Sequence, residues 1–198
     1  MKRRIIFTMI VSLLSFGMID SAMTNDIPSS VSLEKLEEER LLREIEEKRL
    51  EEERIKQYHE DELQRFLTDI GHRESGNRYD ITNKWGYMGK YQFGKSTLKT
   101  IKIKVSKTEF LNNPELQEEA MLKLLRYNKK RLQKYIDKFD GQTINGILIT
   151  ESGLLAAAHL GGAGSVKKWF RTGKVKKDGN GIKITSYMER FSGYNLYL

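Results

Sequence analysis

The chain has 198 residues and no cysteine. A disulfide framework, a zinc–thiolate site and a thiol nucleophile are therefore excluded. The length suits one domain of ordinary size with an additional segment, because most domains contain about 100–150 residues.

Charge is distributed unevenly along the chain. Residues 1–62 contain 10 Lys and Arg against 15 Asp and Glu, a net charge of −5, whereas residues 63–198 contain 25 against 12, a net charge of +13. A part this basic is expected to attract an anionic partner such as nucleic acid, an acidic envelope polysaccharide or a lipid surface. The acidic and the basic part are therefore predicted to be different structural units.

The first residues have the pattern of a secretory signal peptide. Basic residues at positions 2–4 precede a mostly apolar run at 5–19, and small and polar residues follow at 21–24. The apolar run is shorter than the roughly 20 residues that a spanning helix needs, which favours cleavage over a permanent membrane span. We therefore expect a signal peptide at 1–23, a polar linker at 24–32, and export to the periplasm or cell envelope.

A highly charged segment follows at 33–59. Three pairs on it have the favourable helical order, with the acid four residues before the base: Glu39/Arg43, Glu44/Lys48 and Glu52/Lys56. A heptad seam would place charged side chains at core positions: Arg40, Arg43, Glu47 and Arg54. The pattern favours a solvated helical spacer over a weak dimerising coiled coil or disorder. The segment also offers a contact surface for an envelope or secretion-apparatus protein.

An apolar helical stripe marks the start of a domain at about residue 60. It consists of Leu63, Phe66, Leu67 and Ile70. Gly71 is expected to end or loosen this helix, so that Glu74 lies at or just past its C-terminus. Residues 60–198 are predicted to be mainly α, with little strand signal.

Further helices are predicted from periodicity and capping signals. They cover 96–101, 114–137, 152–160, 166–170 and 186–191. Asn113, Thr150 and Ser165 are the predicted N-caps, a basic connection is expected at 102–108, and a turn or small hairpin is expected at 176–184.

The stretch between Gly71 and Gly94 combines Glu74 with many glycines, amides and aromatic rings. Flat apolar faces and amide groups suit a groove that grips a sugar chain. The alternative is a glycine-rich surface loop that carries an ordinary exposed Glu. We favour the interpretation as a site.

Four short motifs occur in order between residues 60 and 195. They are Glu74-Ser75, Gly89-Lys90-Tyr91-Gln92, Ala158-His159-Leu160-Gly161-Gly162 and Thr185-Ser186-Tyr187-Met188. Together they resemble the lysozyme-like lytic transglycosylases, which act on peptidoglycan. The first resembles that family's catalytic Glu-Ser at a helix end, and the last resembles the segment whose Tyr faces the acid. His159-Leu160 stand where the family commonly has Tyr-Asn.

The resemblance implies a lysozyme-like (goose-lysozyme/transglycosylase) helical domain that cleaves glycan strands between N-acetylmuramic acid and N-acetylglucosamine. Glu74 would act first as acid and then as base, closing a 1,6-anhydro ring without water, cofactor or metal. Seven further residues are implied as substrate contacts: Ser75, Tyr91, Gln92, Phe93, His159, Gly161 and Tyr187. From the residues alone, His159 is interpreted first as a packed, hydrogen-bonded histidine, and its place in the third motif makes substrate contact the next choice.

A second carboxylate would indicate lysozyme-type hydrolysis of the same bond, because a hydrolase uses one for water or the intermediate. Asp80 is the nearest candidate and is interpreted as a turn residue. Glu151 repeats the Glu-Ser-Gly pattern but begins a predicted buried helix, and Asp178 lies in a turn that lacks the other ligands of a calcium loop. Transglycosylation is therefore favoured, with hydrolysis and a non-catalytic peptidoglycan-binding or assembly module as alternatives.

Two basic clusters remain outside these motifs. Lys102, Lys104 and Lys107 form one, and residues 129–131 form the other. They are interpreted as solvated surface that would attract anionic glycan or teichoic-type polymers. Nucleic acid is not an expected partner, because the secretion signal argues against it.

Overall fold

A computed structural model describes the backbone of residues 30–198 and the side chains from residue 33 onward. The predicted signal peptide at 1–23 and most of the predicted linker at 24–32 lie outside the described residues. The chain divides into two units between Glu47 and Lys48. Among the described residues, no helix is both long and apolar enough to cross a membrane.

Helices dominate the described part of the chain, and the predicted mainly α class is confirmed. The helices are α1 (Ser30–Ser75), α2 (Lys95–Thr100), α3 (Lys107–Leu111), α4 (Pro114–Phe139), α5 (Glu151–Gly161), α6 (Ala163–Thr172) and α7 (Ile184–Arg190). One small antiparallel sheet pairs β1 (Thr143–Ile144) with β2 (Ile147–Leu148), with Thr143 opposite Leu148.

The charged stretch at 33–59 is helical and exposed. Its large apolar side chains are also exposed: Leu33, Leu36, Leu41, Leu42, Ile45, Leu50, Ile55 and Tyr58. Ion pairs on it include Arg40–Glu44 at 3.2 Å, Arg49–Glu53 at 2.6 Å and Lys56–Glu60 at 3.8 Å. These pairs place the base before the acid, unlike the three predicted pairs. The boundary at residue 60 and the spacer role stay predictions.

Helix α5 lies at the centre of the core. Seven consecutive residues of it, Ser152 to Ala158, are buried, and it packs against α4, α6 and α7. The predicted caps of α4 and α5 are confirmed: Asn113 Oδ1 accepts the N–H of Leu116 at 2.9 Å, and Thr150 Oγ1 accepts that of Gly153 at 3.1 Å. These local signals fix where the two long core helices begin.

Two predictions about helix ends were wrong. Gly71 does not end α1, which continues to Ser75. A Cβ at Gly71 would lie 2.4 Å from Asn77 Oδ1 and 2.6 Å from Lys90 Cε, so a larger residue would displace these two side chains. Ser165 does not cap α6 but lies inside it, where its hydroxyl donates to the Gly161 carbonyl at 2.7 Å.

Two elements were missed. The predicted basic connection at 102–108 runs into α3, whose N-cap Ser106 accepts the N–H of Glu109 at 3.2 Å. The β1–β2 hairpin turns at Asn145 and Gly146, with φ of 51° and 80°. Positive φ at both positions is the geometry that an Asn-Gly pair favours in a two-residue hairpin.

The packing of α5 against α7 can be tested at Gly153. A Cβ there would lie 2.4 Å from the carbonyl oxygen of Met188, which is backbone and cannot swing away. Gly153→Ala is therefore expected to lower the free energy of unfolding by about 1–2 kcal/mol, measured by urea denaturation.

Gly164→Ala in α6 is the matched control. An added Cβ at Gly164 meets nothing within 4 Å. This variant is expected to be neutral or to stabilise by up to about 1 kcal/mol, because alanine is the better helix former. Equal stability of Gly153→Ala and the unsubstituted protein would contradict the described packing.

Candidate active site

Glu74 lies in the last turn of α1, one residue before the helix ends. Ile70 and Phe66, four and eight residues earlier, are both fully buried. Residues at this spacing share one face of a helix, so the packed core fixes the position of Glu74. Its side chain is 15% exposed. The core thus holds the Glu74 side chain in place, while its carboxyl group remains accessible to a ligand.

Tyr187 of α7 contacts this carboxyl group directly. Its hydroxyl donates to Glu74 Oε1 at 2.6 Å, across 113 residues of sequence. Burial of Tyr187, the charge of Glu74 and the hydrogen bond to it raise the pKa of Tyr187, while Arg73 acts in the opposite direction. The hydroxyl is therefore a neutral donor throughout the physiological pH range.

His159 of α5 approaches the same oxygen atom. Its Nε2 lies 3.7 Å from Glu74 Oε1, and its side chain is 7% exposed. Burial lowers the pKa of His159 and outweighs the opposing effects of the Glu74 charge and a backbone group of Tyr91. The ring is therefore neutral at neutral pH. It is packed, with its ring at an edge-on angle to Phe93.

These groups open onto a cavity of about 650 Å³. Its lining includes the predicted site residues Glu74, Gln92, Phe93, His159 and Gly161. Other lining residues come from the loop at 83–87, from α4 and from the turn after α6. They are Asn83, Trp85, Tyr87, Leu124, Tyr127, Asn128, Arg131, Lys176, Asp178, Gly179 and Asn180. Several separate parts of the chain therefore border this cavity, among them α1, the loop at 83–93, α4, α5 and the turn after α6.

Two exposed aromatic rings of the predicted site at 71–94 also lie on this lining, although neither was named individually as a substrate contact. Trp85 is 47% exposed and Tyr87 is 45% exposed. Asn83 Oδ1 accepts the backbone N–H groups of both residues, at 2.9 Å and 3.1 Å, and so fixes the loop that presents them. The Asn-Lys-Trp-Gly-Tyr pattern is the sequence signal for this turn, because an Asn side chain often bonds the backbone that follows it.

The Gly89–Phe93 segment divides between the cavity and the interior. Gln92 lines the cavity with a φ of 51°, and its Nε2 donates to the Gly89 carbonyl at 2.9 Å. Tyr91 is fully buried, does not line the cavity, and donates its hydroxyl to Glu118 Oε2 at 2.5 Å. Ser75 Oγ donates to the Lys90 carbonyl at 2.8 Å and joins the end of α1 to this segment.

A buried charged cluster anchors that segment. Lys90 is 5% exposed, and its Nζ lies 2.8 Å from Glu118 Oε1, which also accepts the Tyr79 hydroxyl at 2.7 Å. Burial acts to raise the pKa of Glu118, but hydrogen bonds from Lys90, Tyr91 and Tyr79 outweigh it and lower the pKa. Burial and Glu118 also raise the pKa of Tyr79 to about 12. Glu118 is therefore an ionised partner of Lys90 and is not free for chemistry.

The other acids considered from the sequence have different surroundings. Asp178 lines the cavity, but its Oδ1 accepts the N–H groups of Asn180 and Ile182 at 2.9 Å and 2.7 Å. Glu151 pairs with Lys129 at 2.8 Å, and Asp80 is exposed outside the cavity lining. Within the side chains described, no group of three or more His, Asp or Glu is placed to hold a metal ion.

One of three comparisons with known proteins gives a match. A family model described as the transglycosylase SLT domain matches residues 51–181, more than half of the chain. The match includes Glu74, the Gly89–Phe93 segment and His159. Neither the curated proteins nor the solved structures contain a match to the chain. The chain therefore belongs to the transglycosylase SLT domain family, a family of lysozyme-like lytic transglycosylases that cleave peptidoglycan.

Proposed function

We propose that this enzyme cleaves the bond between N-acetylmuramic acid and N-acetylglucosamine by lytic transglycosylation, with Glu74 as the single acid and base. The observation that carries the proposal is the convergence of Tyr187 and His159 on Glu74 Oε1, at 2.6 Å and 3.7 Å, beside the cavity. Both neighbours are neutral near pH 7. Neither of them therefore places a positive charge beside the carboxyl group.

The reaction consists of two proton transfers through one carboxyl group. Glu74 first donates its proton to the glycosidic oxygen, and the bond from that oxygen to the muramic C1 breaks. The resulting carboxylate then accepts the proton of the muramic C6 hydroxyl while that oxygen bonds to C1. The products are a free glucosamine hydroxyl and a 1,6-anhydro ring. Glu74 regains its proton, and no water is consumed.

The Tyr187 hydrogen bond assigns different tasks to the two oxygens of Glu74. Because Oε1 already accepts the tyrosine hydroxyl, we assign the acidic proton to Oε2. The same hydrogen bond stabilises the carboxylate that forms after the first transfer, and hydrogen bonds to charged groups are the stronger ones. Tyr187 thus orients the acid and steadies its ionised state.

The water-free reaction is favoured over hydrolysis by the surroundings of the other acids. Among the described residues that line the cavity, Asp178 is the carboxylate besides Glu74. It bonds to two backbone N–H groups of its own turn, which is a structural use of the side chain. A hydrolase would need a second carboxylate free to activate water or to bond the sugar.

Substrate contacts are proposed for the groups that line the cavity. The role expected from the sequence is kept for Gln92, Phe93, His159 and Gly161. The exposed rings of Trp85 and Tyr87 are added, because the faces of pyranose rings stack on aromatic side chains. Ser75 and Tyr91 are assigned a positioning role, because their hydroxyls bond Lys90 and Glu118 within the protein.

The family acts on peptidoglycan, which lies outside the cytoplasm. We propose that a signal peptide at 1–23 directs export, that the linker at 24–32 follows it, and that catalysis resides in residues 60–198. The exposed helical surface at 33–59 is proposed as a spacer that offers a contact to another envelope protein.

Glu74→Gln tests the catalytic assignment. The amide keeps the shape of the side chain but cannot donate and recover a proton, so muropeptide release should fall by about 10³-fold. Binding to insoluble peptidoglycan in a pull-down should be retained. The matched control is Glu151→Gln, which alters the second Glu-Ser-Gly sequence and should keep the rate within a few-fold. Unchanged turnover in Glu74→Gln would refute the assignment, and peptidoglycan binding without any products from the unsubstituted protein would favour a binding module.

Tyr187→Phe tests the orienting hydrogen bond. The ring and its packing are kept while the donor to Glu74 is lost, so kcat should fall by about 10- to 100-fold with little change in KM. Tyr194→Phe is the matched control, because that hydroxyl donates to Asp69 of α1 outside the cavity lining. Equal rates for Tyr187→Phe and the control would show that the contact contributes nothing to catalysis.

The neutral state of His159 predicts a pH dependence of stability. Its pKa is lowered in the folded chain, so the unfolded chain binds a proton first as the pH falls below about 6.5. The contribution of the neutral His159 ring to the free energy of unfolding is therefore complete above this pH and decreases as the pH falls below it. His159→Gln should lose less free energy of unfolding than the unsubstituted protein between pH 7.5 and 5.5, measured by urea titration. An identical loss in both proteins would contradict a buried neutral ring.

A further inference from the structure

A second cavity, of about 680 Å³, borders α2. We call it the lysine groove. It is lined by Met88, Lys95, Leu98, Lys99, Lys102, Ile103, Lys104, Val105, Ser106 and Lys107. Half of these residues are lysines and none is acidic. The groove is distinct from the cavity at Glu74, with which it shares no lining residue.

The five lysines of the groove are available for a ligand. All five are exposed, and in the part of the chain with described side chains none of them belongs to an ion pair. Three other lysines of the domain, Lys90, Lys123 and Lys129, each pair with a glutamate instead. An uncompensated group of like charges on one concave surface creates a potential that attracts anions.

Apolar side chains form the floor of the groove. Met88 is 2% exposed, Leu98 4% and Ile103 9%, and Val105 is half-buried beside them. Lys102 is held at a φ of 60°, a conformation that glycine or asparagine adopts more readily. Placing a lysine there adds charge at a position where backbone geometry alone would favour another residue. The surface suits a ligand with both carboxylates and small apolar groups.

Helix α2 separates this groove from the cavity at Glu74. Ser96, Thr97 and Thr100 line the cavity, whereas Lys95, Leu98 and Lys99 of the same helix line the groove. A helix with its side chains is about 10 Å thick. An extended peptide of four residues reaches about 13 Å, so a short branch of the substrate can cross from one side to the other.

We propose that the lysine groove binds the peptide stems of peptidoglycan, the short carboxylate-bearing peptides carried by the muramic acid residues. The proposal rests on the proposed function, which places a muramic acid next to Glu74. The stem leaves the glycan at that sugar, and α2 is one of the elements that line the cavity there. Its carboxylates match the lysine rim, and its alanine methyl groups match the apolar floor. The groove thereby selects strands that still carry their stems.

Two substrates separate stem recognition from catalysis. One is uncrosslinked glycan strands with their stems, and the other is the same strands after an amidase has removed the stems. The triple variant Lys99→Gln, Lys102→Gln, Lys104→Gln should raise KM about fivefold to tenfold on stem-bearing strands, because each exposed charge contact contributes a factor of about two. Its kcat should stay unchanged, and its KM on stripped strands should equal that of the unsubstituted protein.

The control variant is Lys130→Gln, Lys134→Gln, Lys168→Gln. It removes the same charge from exposed positions outside both cavities and should leave KM unchanged on both substrates. Added salt should raise the KM of the unsubstituted protein on stem-bearing strands only. Because all six positions are exposed, thermal unfolding should be similar in the two variants.

Three results would overturn the proposal. They are an unchanged KM of the groove variant on stem-bearing strands, an equal rise on stripped strands, and an equal rise in the control variant. If the groove variant lost binding to polyglycerol phosphate but kept its KM on stem-bearing strands, the occupant would be a phosphate polymer and the proposal would be wrong. Failure of the proposed function looks different, because anhydro products would then be absent from both substrates with the unsubstituted protein.

Discussion

The hydrogen bond between Tyr187 and Glu74 joins the end of α1 to α7, two elements that are 113 residues apart. It requires α7 to lie close against α5, and the absence of a side chain at Gly153 permits that approach. Helix α5 also carries His159 to within 3.7 Å of the same carboxyl group. One buried helix of small residues thus determines both distances, and the active site depends on core packing more than on any loop.

Burial acts on the two neighbours of Glu74 in the same physical way with opposite effects on their pKa. Removing water penalises the charged form of any group, so the pKa of Tyr187 is raised and that of His159 is lowered. Both stay neutral over a common pH range. Beneath the site, by contrast, Lys90 and Glu118 are charged and compensate each other. Arg73, the residue before Glu74, is a charged neighbour of the site, and its effect on the pKa of Tyr187 opposes that of burial.

Much of this architecture could be predicted because its signals are local. Asn113 before a proline and Thr150 before a buried run mark helix starts, and the stripe through Phe66 and Ile70 mounts Glu74. The features that the sequence did not predict depend on partners distant in sequence or are very short elements. The burial of the Tyr91 side chain, for example, depends on the hydrogen bond from its hydroxyl to Glu118, 27 residues away. The Asn-Gly turn at 145–146 gives little strand signal in the sequence, because each flanking strand has only two residues.

The central claim is that one carboxyl group completes the reaction without water. Mass spectrometry of peptidoglycan digested in water enriched with heavy oxygen tests this claim most directly. The predicted result is that every new muramic acid end is a 1,6-anhydro end without heavy oxygen, because the C6 hydroxyl supplies the attacking atom. Reducing muramic acid ends that carry one heavy oxygen atom would contradict the claim and identify the enzyme as a hydrolase.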